Sequence, residues 1–293
     1  MPAPLVANAP AKVNLTLRVV ARRADGYHEL ESLVVFADRG DRLTFAPGGA
    51  LSLAVSGVTA AQAGEGADNL VLKAARALAE RRPGLTLGAF HLEKNLPVAA
   101  GLGGGSSDAA AALRLIAQAN GLPHDDAQLY EAARVTGADV PVCVDPRPRI
   151  MRGVGEKLSA PLSLPPLPAV LVNPGVAVAT KLVFAGLKLS DKPAAALDVA
   201  AMAKLASRDE LLRILQTQPN DLEAPAIAIA PVIADVLSAL RPLAGCEFAR
   251  MSGSGATCFG LFASAADADA AAKNLRAKFP QWWAQACHLG SGV

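Results

Sequence analysis

"PVAAGLGGGSSDAAAAL", residues 97–113, decides how this chain is read. A strand-like run, "LGAFHLEKN", precedes it, and "SDAAAALRLIAQANG" follows with apolar residues at helical spacing, ending at Asn120-Gly121. Gly101, Gly103, Gly104 and Gly105 leave the backbone nearly bare where that helix opens. A helix N-terminus carries unpaired N–H groups and a partial positive charge, so it attracts anions. Glycines in front of it remove side chains that would hold a phosphate away and permit the positive φ angles of an anion-cradling nest. Ser106 and Ser107 are placed to cap the helix and to offer hydroxyls to a phosphate or its magnesium. A plain linker needs no such run of glycine.

Two familiar phosphate loops fail against this stretch. A P-loop places lysine directly after its last glycine, and none follows here. In a G-x-G-x-x-G dinucleotide loop begun at Gly101, the third glycine falls on Ser106. The reading is a nucleotide-phosphate loop of a third kind.

Working outward, the 293 residues suit about two domains. The chain is 52% hydrophobic and 18% charged, with 28 basic against 26 acidic residues. That near balance argues against a nucleic-acid binder. Cys143, Cys246, Cys258 and Cys287 have neither metal-ligand spacing nor the density of a disulfide framework, which fits reduced thiols in a cytoplasmic protein. "MPAPLVANAPAK" does not look like a signal peptide. The longest apolar run, 224–234, holds two prolines and is shorter than the roughly 18 residues of a membrane helix.

"KVNLTLRVV" at 12–20 alternates as a half-buried strand, with Lys12 and Asn14 together on its polar face. Asp25-Gly26 marks a turn into a second strand, and "DRLTFAP" and "LSLAVSG" read as further short strands. "DNLVLKAARALAERRPG" predicts a helix capped by Asp68. "HDDAQLYEAARVTGADVPVCV" predicts a helix, a break at Gly137 and a short apolar strand. "APLSLPPLP" at 160–168 is the best domain junction, giving domains 1–160 and 161–293. Beyond it, "CEFARMSGSGATCFGLF" predicts a glycine-broken hairpin, and a final helix follows. Strands and helices mix without βαβ alternation, which predicts an α+β fold.

The glycine stretch resembles the phosphate-binding motif of the GHMP kinases. Segments 10–30 ("PAKVNLTLRVVARRADGYHEL"), 137–144 ("GADVPVCV"), 152–158 ("RGVGEKL"), 220–223 ("NDLE") and 251–262 ("MSGSGATCFGLF") extend the resemblance, in order, along nearly the whole chain. They are similar to the members acting on a cytidine-diphosphate-linked polyol in the non-mevalonate isoprenoid route. Ala99 and Ala100 stand where such loops often carry more glycine. The resemblance implies an N-terminal nucleotide-binding α+β domain and a C-terminal ferredoxin-like α+β domain, with the active site in the cleft between them. It also implies ATP as phosphoryl donor and magnesium carried by the nucleotide; the acidic magnesium ligand that some members supply is assigned to no residue here. A monomer or homodimer is expected, with no nucleic-acid or membrane partner.

Phosphoryl transfer to an alcohol needs in-line positioning, an acceptor for the hydroxyl proton and positive charge around the moving group. By spacing alone Asp139 could merely cap a turn and Lys12 could be a surface lysine. The resemblance implies that Asp139 is the base and Lys12 its partner. It implies ATP contacts from Pro97, Val98, Ala99, Ala100, Gly101, Leu102, Gly103, Gly104, Gly105, Ser106 and Ser107, with Asn69 and Lys94 near the adenine. Tyr27 and His28, after their tight turn, are expected to clamp cytosine, since stacking on an aromatic ring contributes roughly 1–3 kcal/mol per base. Asn14, Asp139, Thr180 and Phe184 are the remaining substrate contacts implied. A homoserine- or mevalonate-type kinase is the closest alternative, and "DGYHEL" weighs against it because those substrates carry no base. A dinucleotide oxidoreductase and an RNA-associated module of similar fold fit less well, given the broken fingerprint and the balanced charge.

Overall fold

The structure, a computed structural model, describes residues 3–63, 66, 68–189, 194–205 and 207–290. The first half runs β1 (Leu5–Asn14), β2 (Arg18–Arg22), β3 (His28–Pro47), β4 (Ser52–Ser56), α1 (Leu70–Arg81), β5 (Gly88–Glu93), α2 (Gly104–Ala119), α3 (Ala127–Thr136), α4 (Val140–Val144), β6 (Arg149–Gly153) and β7 (Lys157–Leu158). The second runs β8 (Leu167–Asn173), α5 (Thr180–Ala185), α6 (Val199–Ala203), α7 (Arg208–Thr217), α8 (Glu223–Ile229), α9 (Val232–Leu240), β9 (Cys246–Met251), β10 (Cys258–Phe262), α10 (Ala265–Lys278) and β11 (Trp283–Gly290). The fold is α+β.

The 20-residue strand β3 is the spine: it pairs antiparallel with β1, β2, β5, β6 and β11. The sequence predicts two strands here, split at "ADRG" (37–40). The chain instead stays extended, because β1 pairs on both sides of a register shift between Pro10 and Lys12. Gly40 permits that crossing, since a Cβ there would lie 2.3 Å from the Ala9 carbonyl oxygen.

In the second half the sheet order is β11-β8-β10-β9, antiparallel throughout, with helices between β8 and β9 and between β10 and β11. That is a ferredoxin-like arrangement. Pairing of Leu289 and Gly290 with Ala37 and Phe36 joins it to β3, so one sheet runs through both halves. A core cluster drawn from both halves, including Val13, Leu33, Leu102, Leu171, Leu211 and Phe259, packs them together.

Two predicted elements change identity. "VPVCV" is the short helix α4, not a strand; both structures hide a continuous apolar run, so periodicity could not separate them. The strand expected over 12–20 breaks after Asn14 and resumes at Arg18. Its polar face is not solvated either: Lys12 and Asn14 are 4% and 1% exposed. Asp68 does not cap α1. Asn69 does, accepting from the Val71 N–H at 2.9 Å, while Asp68 pairs with Lys73.

Helix α2 seats its alanines against β1 and β3 and drives Leu113 and Ile116 into the first-half core. Small side chains let the helix lie close to the sheet, which fixes the glycine loop at its N-terminus. Because Leu113 is fully buried, Leu113→Ala is expected to cost roughly 2–5 kcal/mol in urea unfolding.

Candidate active site

A cavity of about 1060 Å³ lies between the halves, walled by the glycine loop, Lys12, Asn14, Asp139, the β2–β3 turn and α5. The loop is shaped by where its carbonyls go. Ala100 accepts from the Thr257 N–H (3.1 Å), Gly101 from Ser252 Oγ (3.0 Å) and Leu102 from the Lys12 N–H (2.8 Å). With three consecutive carbonyls held by the protein and Leu102 buried, the loop cannot turn its oxygens toward an anion. Positive φ at Ala99, Gly101 and Gly103 makes the bend. Ala99 is the non-glycine exception at φ 52°, a conformation costing of order 1–2 kcal/mol.

Gly103 is the N-cap of α2, and the N–H groups of Gly104, Gly105 and Ser106 have no acceptor one turn back. The serines therefore do not cap the helix: they lie inside its first turn. Ser107 is fully buried, donating from Oγ to the Pro10 carbonyl at 2.8 Å, whereas Ser106 lines the cavity.

Lys12 reaches the cavity floor from β1. Its ammonium sits 3.0 Å from Asp139 Oδ2 and donates to Asn14 Oδ1 at 3.2 Å. Asn14 Nδ2 in turn donates to Ser32 Oγ at 2.7 Å, which fixes the amide's orientation. Asp139 stands at the start of α4 with its side chain 38% exposed, so the carboxylate is held by the lysine yet open to the cavity.

At the opposite end, His28 stacks on Phe184 with ring centroids 4.7 Å apart and planes at 25°. Burial, and after it the charge of Arg22, hold the imidazole below its ordinary value, which favours the neutral ring. Tyr27 is 64% exposed at the turn and lines the same cavity, as does Thr180, whose hydroxyl is 2.8 Å from Ser254 Oγ.

Several expected nucleotide contacts stand apart from the cavity wall. Leu102 points into the core, Asn69 caps α1, and Pro97 and Val98 lie outside the lining. Lys94 is buried between Asp41 and Asp108, so its ammonium is already engaged.

By resemblance, Ser252 to Gly255 are expected to form a loop facing the active site, with no chemical role assigned. Ser252 is the bridge: it accepts from the Asn14 N–H at 3.1 Å and donates to the Gly101 carbonyl. Asn220 steadies it by donating to the carbonyls of Met251 and Gly253. The "NDLE" and "MSGSGATC" stretches were visible as segments, but nothing local says they meet the glycine loop.

Residues 69–145 match the model for the GHMP kinases N terminal domain and 196–281 that for the GHMP kinases C terminal region. A curated protein of Rhodopseudomonas palustris, named 4-diphosphocytidyl-2-C-methyl-D-erythritol kinase, is 60% identical over 289 residues, 97% of this chain and 95% of its own. One of the same name from Methylobacterium radiotolerans is 60% identical over 281 residues, 95% of this chain and 97% of its own. The crystal structure of a 4-(cytidine 5'-diphospho)-2C-methyl-D-erythritol kinase superposes with a TM-score of 0.80 at 37% identity, covering 98% of this chain and all (100%) of that one. A homoserine kinase from Cytophaga hutchinsonii shares the fold at TM-score 0.75 and 19% identity, covering 100% of this chain and 97% of its own. The fold and its glycine-loop cleft are those of a GHMP kinase. Within that class the chain belongs to the 4-diphosphocytidyl-2-C-methyl-D-erythritol kinase family.

A Cβ on Gly101 would lie 2.5 Å from the Ser252 carbonyl oxygen, at a φ of +75°. Gly101→Ala is therefore expected to push the glycine loop off the 252–255 loop and weaken ATP-analogue binding by at least about tenfold, a cost near 1.4 kcal/mol. Calorimetric titration would read it.

Proposed function

We propose that this chain transfers the γ-phosphoryl group of ATP to the 2-hydroxyl of 4-diphosphocytidyl-2-C-methyl-D-erythritol, in the non-mevalonate route to isoprenoid precursors. The observation that carries the reading is the 3.0 Å Lys12–Asp139 pair, open to a cavity whose other wall is a glycine loop with its amides free. The roles assigned to individual residues below belong to this proposal.

The polyphosphate lies along residues 99–106, held by main-chain amides and the α2 N-terminus. Asp139 takes the proton of the attacking hydroxyl, and Lys12 stabilises the oxygen as that proton leaves. Asn14, locked by Ser32, holds Lys12 and bounds the polyol subsite. Residues 1–160 thus carry the donor site and the Lys12–Asp139 pair, and residues 161–293 close the acceptor site with Thr180 and Phe184.

A base slotted between two rings needs them roughly 7 Å apart, twice the contact distance between carbons. His28 and Phe184, at 4.7 Å, are too close to take one between them. The cytosine is better accommodated between the exposed Tyr27 ring and the outer face of the His28–Phe184 pair.

Magnesium would arrive on the triphosphate, where it would neutralise phosphoryl charge. The residues present do not fit a protein-held ion. Among the described residues no three carboxylate, histidine or cysteine groups gather, Asp108 is buried against Lys94, and Asp139 is held by Lys12. No step is routed through the metal.

In a coupled ADP-release assay with the cytidylated methylerythritol, Asp139→Asn should lower kcat by about 10²–10⁴-fold with a small change in KM. An unaltered kcat would remove Asp139 as base. Cytidine diphosphate should raise the melting temperature where mevalonate and homoserine do not, and the reverse pattern would favour another GHMP substrate class.

A further inference from the structure

Directly behind the glycine loop, outside the wall of the cavity, lies a buried charge cluster. Lys94, just past β5, contacts Asp41 of β3 and lies 2.7 Å from Asp108 of α2, and all three side chains are 4% exposed or less. Asp41 Oδ1 also accepts from the N–H groups of Asn95 (2.6 Å) and Leu96 (2.8 Å), where the chain enters the loop. Asp108 stands one turn into α2, where the chain leaves it. The main chain of Lys94 donates to Ser56 and accepts from Thr59, which holds the cation's own stem in place. A Cβ on Gly104 would lie 3.5 Å from Lys94 Nζ and 3.6 Å from Asp41 Oδ2, so the cluster backs the first residue of α2.

One cation thus serves two carboxylates, and Asp108 Oδ1 is buried with no hydrogen-bond partner among the described residues. We propose that Lys94, Asp41 and Asp108 form a positioning unit that anchors both ends of the phosphate loop, and that nucleotide binding raises the proton occupancy of the Asp108 carboxylate. This rests on the ATP-binding reading above.

The physical reason is the charge count. With both carboxylates ionised the buried cluster carries a net negative charge, and a proton on Asp108 makes it neutral. Gly104 to Asp108 spans about 6 Å along the helix axis, so a polyphosphate on the loop amides adds anionic charge close by. Bound polyanion therefore favours the protonated carboxyl.

Burial already pushes the Asp108 carboxyl up to about 7, Lys94 opposing the rise and Asp41 adding to it. From α4, Cys143 faces the same region, but burial holds its thiol up at about 12, and from β1 the Lys12 ammonium is turned to Asn14 and Asp139. The complex then binds more protons than the free protein at and just above pH 7. By linkage, nucleotide affinity rises as pH falls through that range.

The test is calorimetric titration of the intact protein with a nonhydrolysable ATP analogue at pH 7.5, in two buffers of different ionisation enthalpy. Wild type should take up roughly 0.3–0.5 proton more per analogue than Asp108→Asn, whose amide is neutral at every pH. The analogue's own terminal phosphate titrates in both proteins, so the difference isolates Asp108. Binding with equal uptake in both overturns the coupling and leaves the kinase reading standing. No binding by wild type overturns the kinase reading, and the coupling with it.

Lys94→Met, with Asp108→Asn as the milder variant, tests the positioning. The expected result for Lys94→Met is a KM for ATP raised at least about tenfold, with the KM for the cytidylated substrate unchanged. An unchanged KM for ATP, or both constants rising together with loss of folded protein, would overturn it.

Discussion

Everything at this site depends on how one residue is fastened at both ends. The main-chain N–H of Lys12 holds the Leu102 carbonyl, and its ammonium holds Asp139, so the phosphate loop and the carboxylate are spaced by a single side chain. Burying an ammonium costs several kcal/mol unless it is paired and hydrogen-bonded, and both conditions are met here. The stem is confined as well. A Cβ on Gly103 would stand 3.0 Å from Lys12 Cε, so glycine at 103 serves the lysine's packing. Two features that look separate in the sequence, a glycine run and a distant lysine, are one steric constraint.

The halves of the molecule divide the work unequally. The first half provides the loop, the helix terminus and the Lys12–Asp139 pair. The second half contributes few groups to the cavity wall, yet its β9–β10 hairpin holds two of the three loop carbonyls through Ser252 Oγ and the Thr257 amide. A main-chain anion site works by orientation: amides aimed outward require carbonyls held inward. The second half therefore shapes the glycine loop from behind while contributing little to the cavity wall.

How much of this was legible in the sequence follows from range. The glycine loop and α2 were legible because their signals are local: backbone freedom, helical spacing and an Asn-Gly stop. The hairpin around 252–257 showed itself through its glycines, but its partner lies some 150 residues away. Lys12 and Asn14 could be placed on one face of a strand, but alternation suggested that this face met water. The cleft buries it because β1 lies between a helical layer and a shared core, which no period of two can express. "VPVCV" failed for a related reason, since a short buried run has no polar face to betray its period. The Asp41–Lys94–Asp108 cluster left no local trace at all: each member sits in a stretch that reads as ordinary strand or helix.

Lys12 and Lys94 flank the same loop, and each is almost fully buried, at 4% and 3% exposed. Propensity and burial do not distinguish them. Their partners do. Lys12 pairs with a carboxylate whose side chain is 38% exposed, so whatever enters the cavity meets both charges. Lys94 pairs with carboxylates exposed by 0% and 4%, so its charge is spent inside the protein. A buried cation can enter the chemistry only if its counter-ion is open to the substrate. When the counter-ions are closed in as well, the cation fixes backbone, and its influence on the reaction travels through the loop it anchors.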